Sequence, residues 1–74
     1  MPQKIRELKA RLRKAGFTFR PGKGSHIVFR HPHLPGERLV LSGSDGDDAQ
    51  RYQEKDVQDV LEKLRNKLRW EERK

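Results

Sequence analysis

The sequence contains no cysteine, which excludes disulfide bonds and zinc sites built from thiolates. Its apolar residues never form a run close to the roughly 20 residues that a membrane-spanning helix needs. The basic N-terminus is not followed by an apolar segment, so we expect no signal peptide, no membrane partner and a cytoplasmic location. A chain of 74 residues is expected to form one small domain, 1–74, with a net stability of about 3–5 kcal/mol.

Acidic residues are scarce in the first half of the chain. Residues 1–40 carry ten Lys or Arg and two Asp or Glu, which gives a charge of +8. Residues 41–74 carry eight Lys or Arg and nine Asp or Glu, which gives a charge of −1. A positive field concentrated in one half attracts polyanions by Coulomb steering and by the release of counterions. The charge distribution therefore favours nucleic-acid binding, with solubility as the alternative explanation.

The spacing of apolar residues predicts a helix near each end of the chain. Ile5, Leu8 and Leu12 recur at three- and four-residue intervals and predict a helix over 3–15, which Gly16 is suited to end. The same periodicity predicts a second helix over 53–69. Its apolar positions are Val57, Val60, Leu61, Leu64 and Leu68.

Three short segments between the helices, 17–20, 25–31 and 37–42, are rich in strand-forming residues. The turns between them are short and contain proline and glycine, which predicts an antiparallel meander. Alternation along the strands assigns one face to the core. That face carries Phe17, Phe19, Ile27, Phe29, Leu39 and Leu41. The other carries Thr18, Arg20, His26, Val28, Arg30, Arg38, Val40 and Ser42.

The order of these elements predicts an α+β fold of the α-β-β-β-α type. Two helices are expected to cover one face of a three-stranded antiparallel sheet, because an amphipathic helix and a one-sided sheet bury their apolar faces together. The opposite face of the sheet, which holds three arginines and one histidine, is then left open.

The segment Lys23-Gly24-Ser25-His26 best combines groups that could act on a phosphate. Glycines let the backbone approach a phosphate closely, Lys23 supplies a mobile positive charge, and His26 supplies an imidazole, the side chain best suited to donate or accept a proton under cellular conditions. From the residues alone, a turn followed by an ordinary strand histidine is the simpler interpretation.

Four features follow one another along the chain: a basic amphipathic helix ending at Ala15-Gly16-Phe17, the segment Lys23-Gly24-Ser25-His26, a strand, and His31-Pro32. In this combination the sequence resembles the HicA-type toxins, small mRNA interferases of bacterial toxin–antitoxin pairs. The resemblance covers residues 4–42 and implies a double-stranded-RNA-binding-like α-β-β-β-α fold. It also implies RNA cleavage without a metal ion or cofactor, and a HicB-type antitoxin that covers the active site.

By this resemblance His26 is the catalytic residue, acting as a general acid or base while a ribose 2′-hydroxyl attacks the adjacent phosphodiester. The residues expected to bind RNA are Lys23, Gly24, Ser25, Arg20, Arg30 and Arg38. Two other classes of function remain open. One is a non-catalytic RNA- or DNA-binding module on the same fold, and the other is an interaction protein that docks an acidic partner.

The remaining polar residues give weaker signals. His31 and His33 are interpreted as turn and surface histidines, because three histidines without a nearby acid or cysteine make a poor metal site. The loop 43–51 carries three aspartates where HicA-type proteins often have a second histidine. Its spacing does not match a calcium-binding loop. We expect a solvated loop, with competition against RNA for the basic face as the alternative.

Overall fold

The computed structural model describes the backbone of residues 3–72 and the side chains of residues 3–70. Its elements, in chain order, are α1 (Ile5–Lys14), β1 (Thr18–Pro21), β2 (Ile27–His31), β3 (Leu34–Leu41) and α2 (Arg51–Glu72). The strands form one antiparallel sheet in the order β1-β2-β3. The predicted α-β-β-β-α architecture is therefore confirmed. No helix among the described residues combines the length and apolar character needed to cross a membrane.

The core lies between the two helices and one face of the sheet. Both helices bury the apolar stripes that the sequence predicted, except for Leu68, which is 38% exposed, and the sheet contributes the alternating apolar residues of β2 and β3. The most deeply buried side chains are Ile5, Leu8, Leu12, Phe29, Leu41 and Val57. Because both helices lie on this face, the opposite face of the sheet has no covering element among the described residues.

The connection between β2 and β3 is tighter than the sequence suggests. β3 begins at Leu34 rather than at residue 37, so only Pro32 and His33 join the two strands. The register shifts between Phe29 and His31, which shows that β3 contains a bulge. Pro35 lies in this irregular part of an edge strand, where a residue without an N–H group is tolerated. Pro35 and Gly36, which the sequence assigned to the turn before the third strand, therefore lie within β3 itself.

The other boundaries differ by smaller amounts. β1 and β2 each begin later than the expected 17–20 and 25–31, and α1 is shorter than 3–15. α2 extends beyond the expected 53–69 in both directions. These changes leave every element in its predicted place along the chain.

Phe19 departs from the predicted core. It pairs with Phe29 in the sheet and so lies on the helix-covered face, yet 53% of its surface is exposed. β1 is an edge strand, and the guanidinium carbon of Arg13 lies 5.6 Å from the centroid of the Phe19 ring. Alternation predicted the face of Phe19 correctly, but an edge strand extends beyond the apolar cover that the helices provide.

The aspartate-rich loop between β3 and α2 caps the N-terminus of α1. The N–H groups of Ile5 and Arg6 donate to the carbonyl oxygens of Asp47 and Asp45 at 2.9 and 3.2 Å. Such N–H groups have no partner within their own helix. The loop therefore provides hydrogen bonds that the first turn of α1 could not otherwise make.

Two of the three aspartate side chains of this loop pair with lysines, and the third, that of Asp47, accepts a hydrogen bond from the N–H of Ser44. Lys4 contacts Asp48 and Lys9 contacts Asp45, each with a nitrogen–oxygen distance of 2.6 Å. The hydrogen bond from Lys9, and then its charge, hold the pKa of Asp45 below its ordinary value of 3.8. Exposed ion pairs add little stability, so the backbone capping is the larger contribution. In the structure, Asp45 and Asp48 therefore pair with lysines and not with the arginines of the open face, and competition of the loop with RNA stays an untested alternative.

Candidate active site

The connection between β1 and β2 is a tight turn that positions His26. The N–H of His26 donates to the carbonyl of Lys23 at 3.0 Å, and the N–H of Gly22 donates to the carbonyl of His26 at 2.7 Å. Gly24, inside the turn, has a φ of 58°, a conformation that other residues rarely adopt. Glycine is therefore favoured at this position by the backbone itself. The turn delivers His26 directly to the start of β2.

Ser25 anchors the turn to the rest of the protein. Its Oγ accepts a hydrogen bond from the N–H of Gly43, just after β3, at 3.2 Å. The sequence predicted Ser25 as an RNA-binding residue, a role that remains a prediction. A hydroxyl that accepts one hydrogen bond still has a proton to donate, so the anchoring contact is compatible with a ligand contact.

The imidazole of His26 is exposed, and one of its nitrogens is held by the turn. Nδ1 lies 2.9 Å from the carbonyl oxygen of Lys23. A carbonyl oxygen can only accept, so Nδ1 carries a proton and donates it. In the neutral ring Nε2 then has a free lone pair, and in the charged ring the bond to Lys23 persists. The turn therefore fixes the ring in both protonation states and leaves Nε2 able to exchange a proton.

The three arginines predicted to bind RNA lie around one depression of about 570 Å³ on the open face of the sheet. Its lining residues are Thr18, Phe19, Arg20, Pro21, Val28, Arg30 and Arg38. No acidic residue lines it, and among residues 3–70 none of the three arginines forms an ion pair. A concave surface lined with positive charges and no negative ones concentrates anions.

His26 lies beyond one end of this depression. The hydrogen bond from Gly22 extends the β1–β2 pairing to His26, and alternation then places His26 on the same face as Val28 and Arg30. At about 3.3 Å per residue, the Cα atoms of His26 and Arg30 are about 13 Å apart. Arg20 pairs with Val28 and is a diagonal neighbour of His26, at about 7–8 Å. Arg20 is therefore closer to His26 than Arg30 is.

His31 is a buried structural residue, and its interpretation as a surface histidine is wrong. Only 8% of it is exposed. Nδ1 accepts a hydrogen bond from the N–H of His33 at 3.1 Å, so Nε2 carries the proton and donates to the carbonyl of Ala15, also at 3.1 Å. Its ring meets that of Phe17 edge-on, with centroids 4.9 Å apart. His31 thus joins the β2–β3 turn to the end of α1.

The packing around His31 also explains the glycine that ends α1. Gly16 has a φ of 96°, and a methyl group added there would lie 3.1 Å from Nε2 of His31. The sequence contained a signal for this burial. Position 31 continues the alternation of Ile27 and Phe29 on the core face, and only the polar character of histidine argued against it.

Replacing His31 with alanine is expected to destabilise the protein by about 2 kcal/mol or more. The substitution removes a side chain that is only 8% exposed and leaves the carbonyl of Ala15 and the N–H of His33 without their part-buried hydrogen bonds, losses that together are expected to cost about 2 kcal/mol or more. Urea unfolding of both proteins measures the difference. Tyr52→Ala is the matched control, because Tyr52 is an aromatic side chain on α2 that is 60% exposed, so a change within about 0.5 kcal/mol is expected. Equal stability of the two variants would contradict the structural role of His31.

The comparisons with known proteins identify a family. A family model described as "HicA toxin of bacterial toxin-antitoxin" matches residues 5–66, from α1 into α2. The matched region includes His26, its turn and the arginines of the depression. No curated protein and no solved structure matches the chain. Within residues 3–70, whose side chains the structure describes, no group of three or more His, Asp or Glu side chains is placed to hold a metal ion.

Proposed function

Because the chain belongs to the HicA toxin family of bacterial toxin–antitoxin systems, we propose that it is an endoribonuclease that cleaves mRNA with His26 as general acid or base. The family makes it the toxin of a pair and gives it an antitoxin partner. We propose that this antitoxin is a HicB-type protein and that the pair acts in the cytoplasm. The observation that carries the catalytic proposal is the orientation of His26, whose turn leaves Nε2 exposed to a ligand in either protonation state.

The proposed reaction uses the 2′-hydroxyl of the RNA itself as nucleophile. The 2′-oxygen forms a bond to the adjacent phosphorus, and the bond from phosphorus to the 5′-oxygen breaks. The products are a 2′,3′-cyclic phosphate and a free 5′-hydroxyl. Nε2 of His26 accepts the proton of the 2′-hydroxyl while water protonates the leaving oxygen, or the charged imidazole protonates the leaving oxygen while water accepts the proton of the 2′-hydroxyl; either role contributes about 10²–10⁴-fold. No step in this scheme requires a metal ion.

The cations near His26 support this chemistry by stabilising negative charge. Lys23 lies in the same turn, and Arg20 is a diagonal neighbour across the sheet. We assign these two to the phosphate that reacts, because a preorganised cation stabilises charge as it develops. Arg30 and Arg38 line the depression further from His26 and are assigned to neighbouring phosphates. Gly24 and Ser25 are assigned to close backbone and hydroxyl contacts.

A binding module without catalysis is the second candidate. It is favoured by one observation, which is that His26 does not line the depression that holds the arginines. A surface that only reads the shape of RNA needs phosphate and 2′-hydroxyl contacts, but no group that transfers protons.

The experiment that separates the candidates uses a single-stranded RNA and the same sequence made with 2′-deoxyribose. The toxin is expected to cleave the RNA in the presence of EDTA and to leave the deoxy strand intact while still binding it. Protein carrying His26→Ala, purified in parallel, controls for contaminating nucleases. Cleavage of the deoxy strand would contradict attack by the 2′-hydroxyl. Tight RNA binding without cleavage would establish the second candidate.

A further inference from the structure

An apolar groove runs between the two helices, away from the open face of the sheet. It has a volume of about 440 Å³. It is lined by Arg11, Lys14, Ala15, Leu61, Leu64, Arg65 and Leu68. Four of these residues form an aliphatic floor and three form a basic rim. The groove belongs to neither the His26 turn nor the arginine depression.

The floor of the groove is not fully buried by the protein itself. Leu68 is 38% exposed, and Leu61 and Ala15 are only partly buried. An apolar surface that is rimmed by polar side chains is typical of a place where another molecule binds. α2 continues past Leu68 to Glu72, so the floor lies on an established helix rather than at a frayed end.

The rim of the groove restricts what the other molecule can be. Among residues 3–70, Arg11, Lys14 and Arg65 form no ion pair and no acid lines the groove. Three unneutralised cations around aliphatic carbon favour a segment with apolar side chains flanked by carboxylates. RNA is a poorer occupant, because the floor offers neither aromatic rings for stacking nor polar groups for base edges. A second copy of this chain brings another net charge of +7, which opposes self-association.

We propose that the groove between α1 and α2 is a docking site for an acidic amphipathic segment of the antitoxin. A helix with leucine-like side chains at positions i, i+3 or i+4, and i+7 and with Glu or Asp beside them fits this chemistry. The site gives the antitoxin a hold on the toxin that does not overlap His26. The inference rests on the proposed function only in taking the antitoxin as the partner, and it does not require that the toxin be a ribonuclease.

The test measures antitoxin affinity with four variants that form two matched pairs. Leu68→Glu alters the floor and Arg65→Glu reverses a charge of the rim. Tyr52→Glu and Lys55→Glu are their controls, because both residues are exposed on α2, lie outside the groove and undergo the same changes in charge. The probe is the purified HicB-type antitoxin of the proposed pair, titrated at physiological salt in the absence of RNA. Thermal unfolding of each variant confirms that it is folded.

Both groove variants are expected to weaken antitoxin binding by at least about tenfold, and both controls by less than about twofold. If the groove variants bound antitoxin with wild-type affinity, the proposal would be overturned. It would also be overturned if Lys55→Glu lost as much affinity as Arg65→Glu, because binding would then depend on net charge alone. A wild-type dimer that Leu68→Glu dissociates would assign the groove to a second copy instead. A loss of RNA affinity confined to the groove variants would assign it to RNA. A toxin that binds antitoxin through the groove but does not cleave RNA would refute the ribonuclease and leave the docking site intact.

Discussion

Replacing His26 with alanine is expected to reduce the rate of RNA cleavage by at least about 100-fold, within the 10²–10⁴-fold range of a general acid or base. The affinity for RNA is expected to change by less than about threefold, because the arginines that we propose to bind phosphates are untouched. Single-turnover cleavage with saturating protein separates the two quantities. The rate then reports the chemical step, and a binding isotherm reports affinity.

The structure makes this variant a clean test of catalysis. The hydrogen bonds that define the turn run from the N–H and to the carbonyl of residue 26, and both groups remain in alanine. His26 is exposed, so its truncation leaves no cavity. His33→Ala is the matched control, since His33 is an exposed histidine in the other hairpin turn, and its cleavage rate should equal that of the wild type. If His26→Ala cleaved RNA as fast as this control, His26 would not be the catalytic residue.

Removing the three arginines of the depression together is expected to weaken RNA binding by about 100-fold in 0.1 M salt. Each phosphate contact to a single strand changes the slope of log K against log salt by about 0.7. Three contacts therefore contribute about 2 to the slope and about a factor of 100 in this salt. Affinities of the wild type and of the Arg20→Ala, Arg30→Ala, Arg38→Ala triple variant, measured across a salt series, give both numbers.

A second triple variant controls for the loss of charge. Lys55, Lys67 and Arg69 are exposed on α2 and lie outside the depression. Their replacement by alanine removes the same charge, and a smaller loss of affinity is expected. Equal losses would mean that RNA affinity depends on the net charge of the protein rather than on this surface.

Among the single variants, Arg20→Ala should lower the maximal rate of cleavage more than Arg30→Ala, because Arg20 lies closer to His26.

Simple periodicity predicts most of this fold because most of the fold is built from local amphipathic patterns. Three- and four-residue spacing identified both helices, and two-residue alternation placed Arg20 and Arg30 on the open face. The same rule reached its limit at Phe19, whose face was right but whose burial depends on how far the helices extend over an edge strand. The prediction that His31 is a surface residue is wrong for a different reason. Its polar side chain favoured the surface, whereas its position in the alternation of β2 placed it in the core.

The features that the sequence did not reveal depend on contacts between distant residues. The aspartates of the loop look like a solvated acidic patch until α1 is placed beside them, with Lys4 and Asp48 separated by 44 positions. The contact of Ser25 with Gly43 spans 18 positions and follows no local pattern. Gln53 is buried because its amide donates to the carbonyl of Ser42, which lies before the loop. The orientation of the His26 ring is set by a residue only three positions away, but it depends on the direction in which the turn points the carbonyl group of Lys23.

The cap of α1 has a consequence for synthesis on the ribosome. α1 is translated early, yet the carbonyl groups that cap it belong to Asp45 and Asp47. The turn that carries His26 likewise depends on Gly43 for its anchor. A nascent chain that has not yet emerged beyond these residues carries the His26 turn without the contacts that hold it in place. We therefore expect this turn to become ordered only late in the translation of the chain, after residues 43–47 have been made.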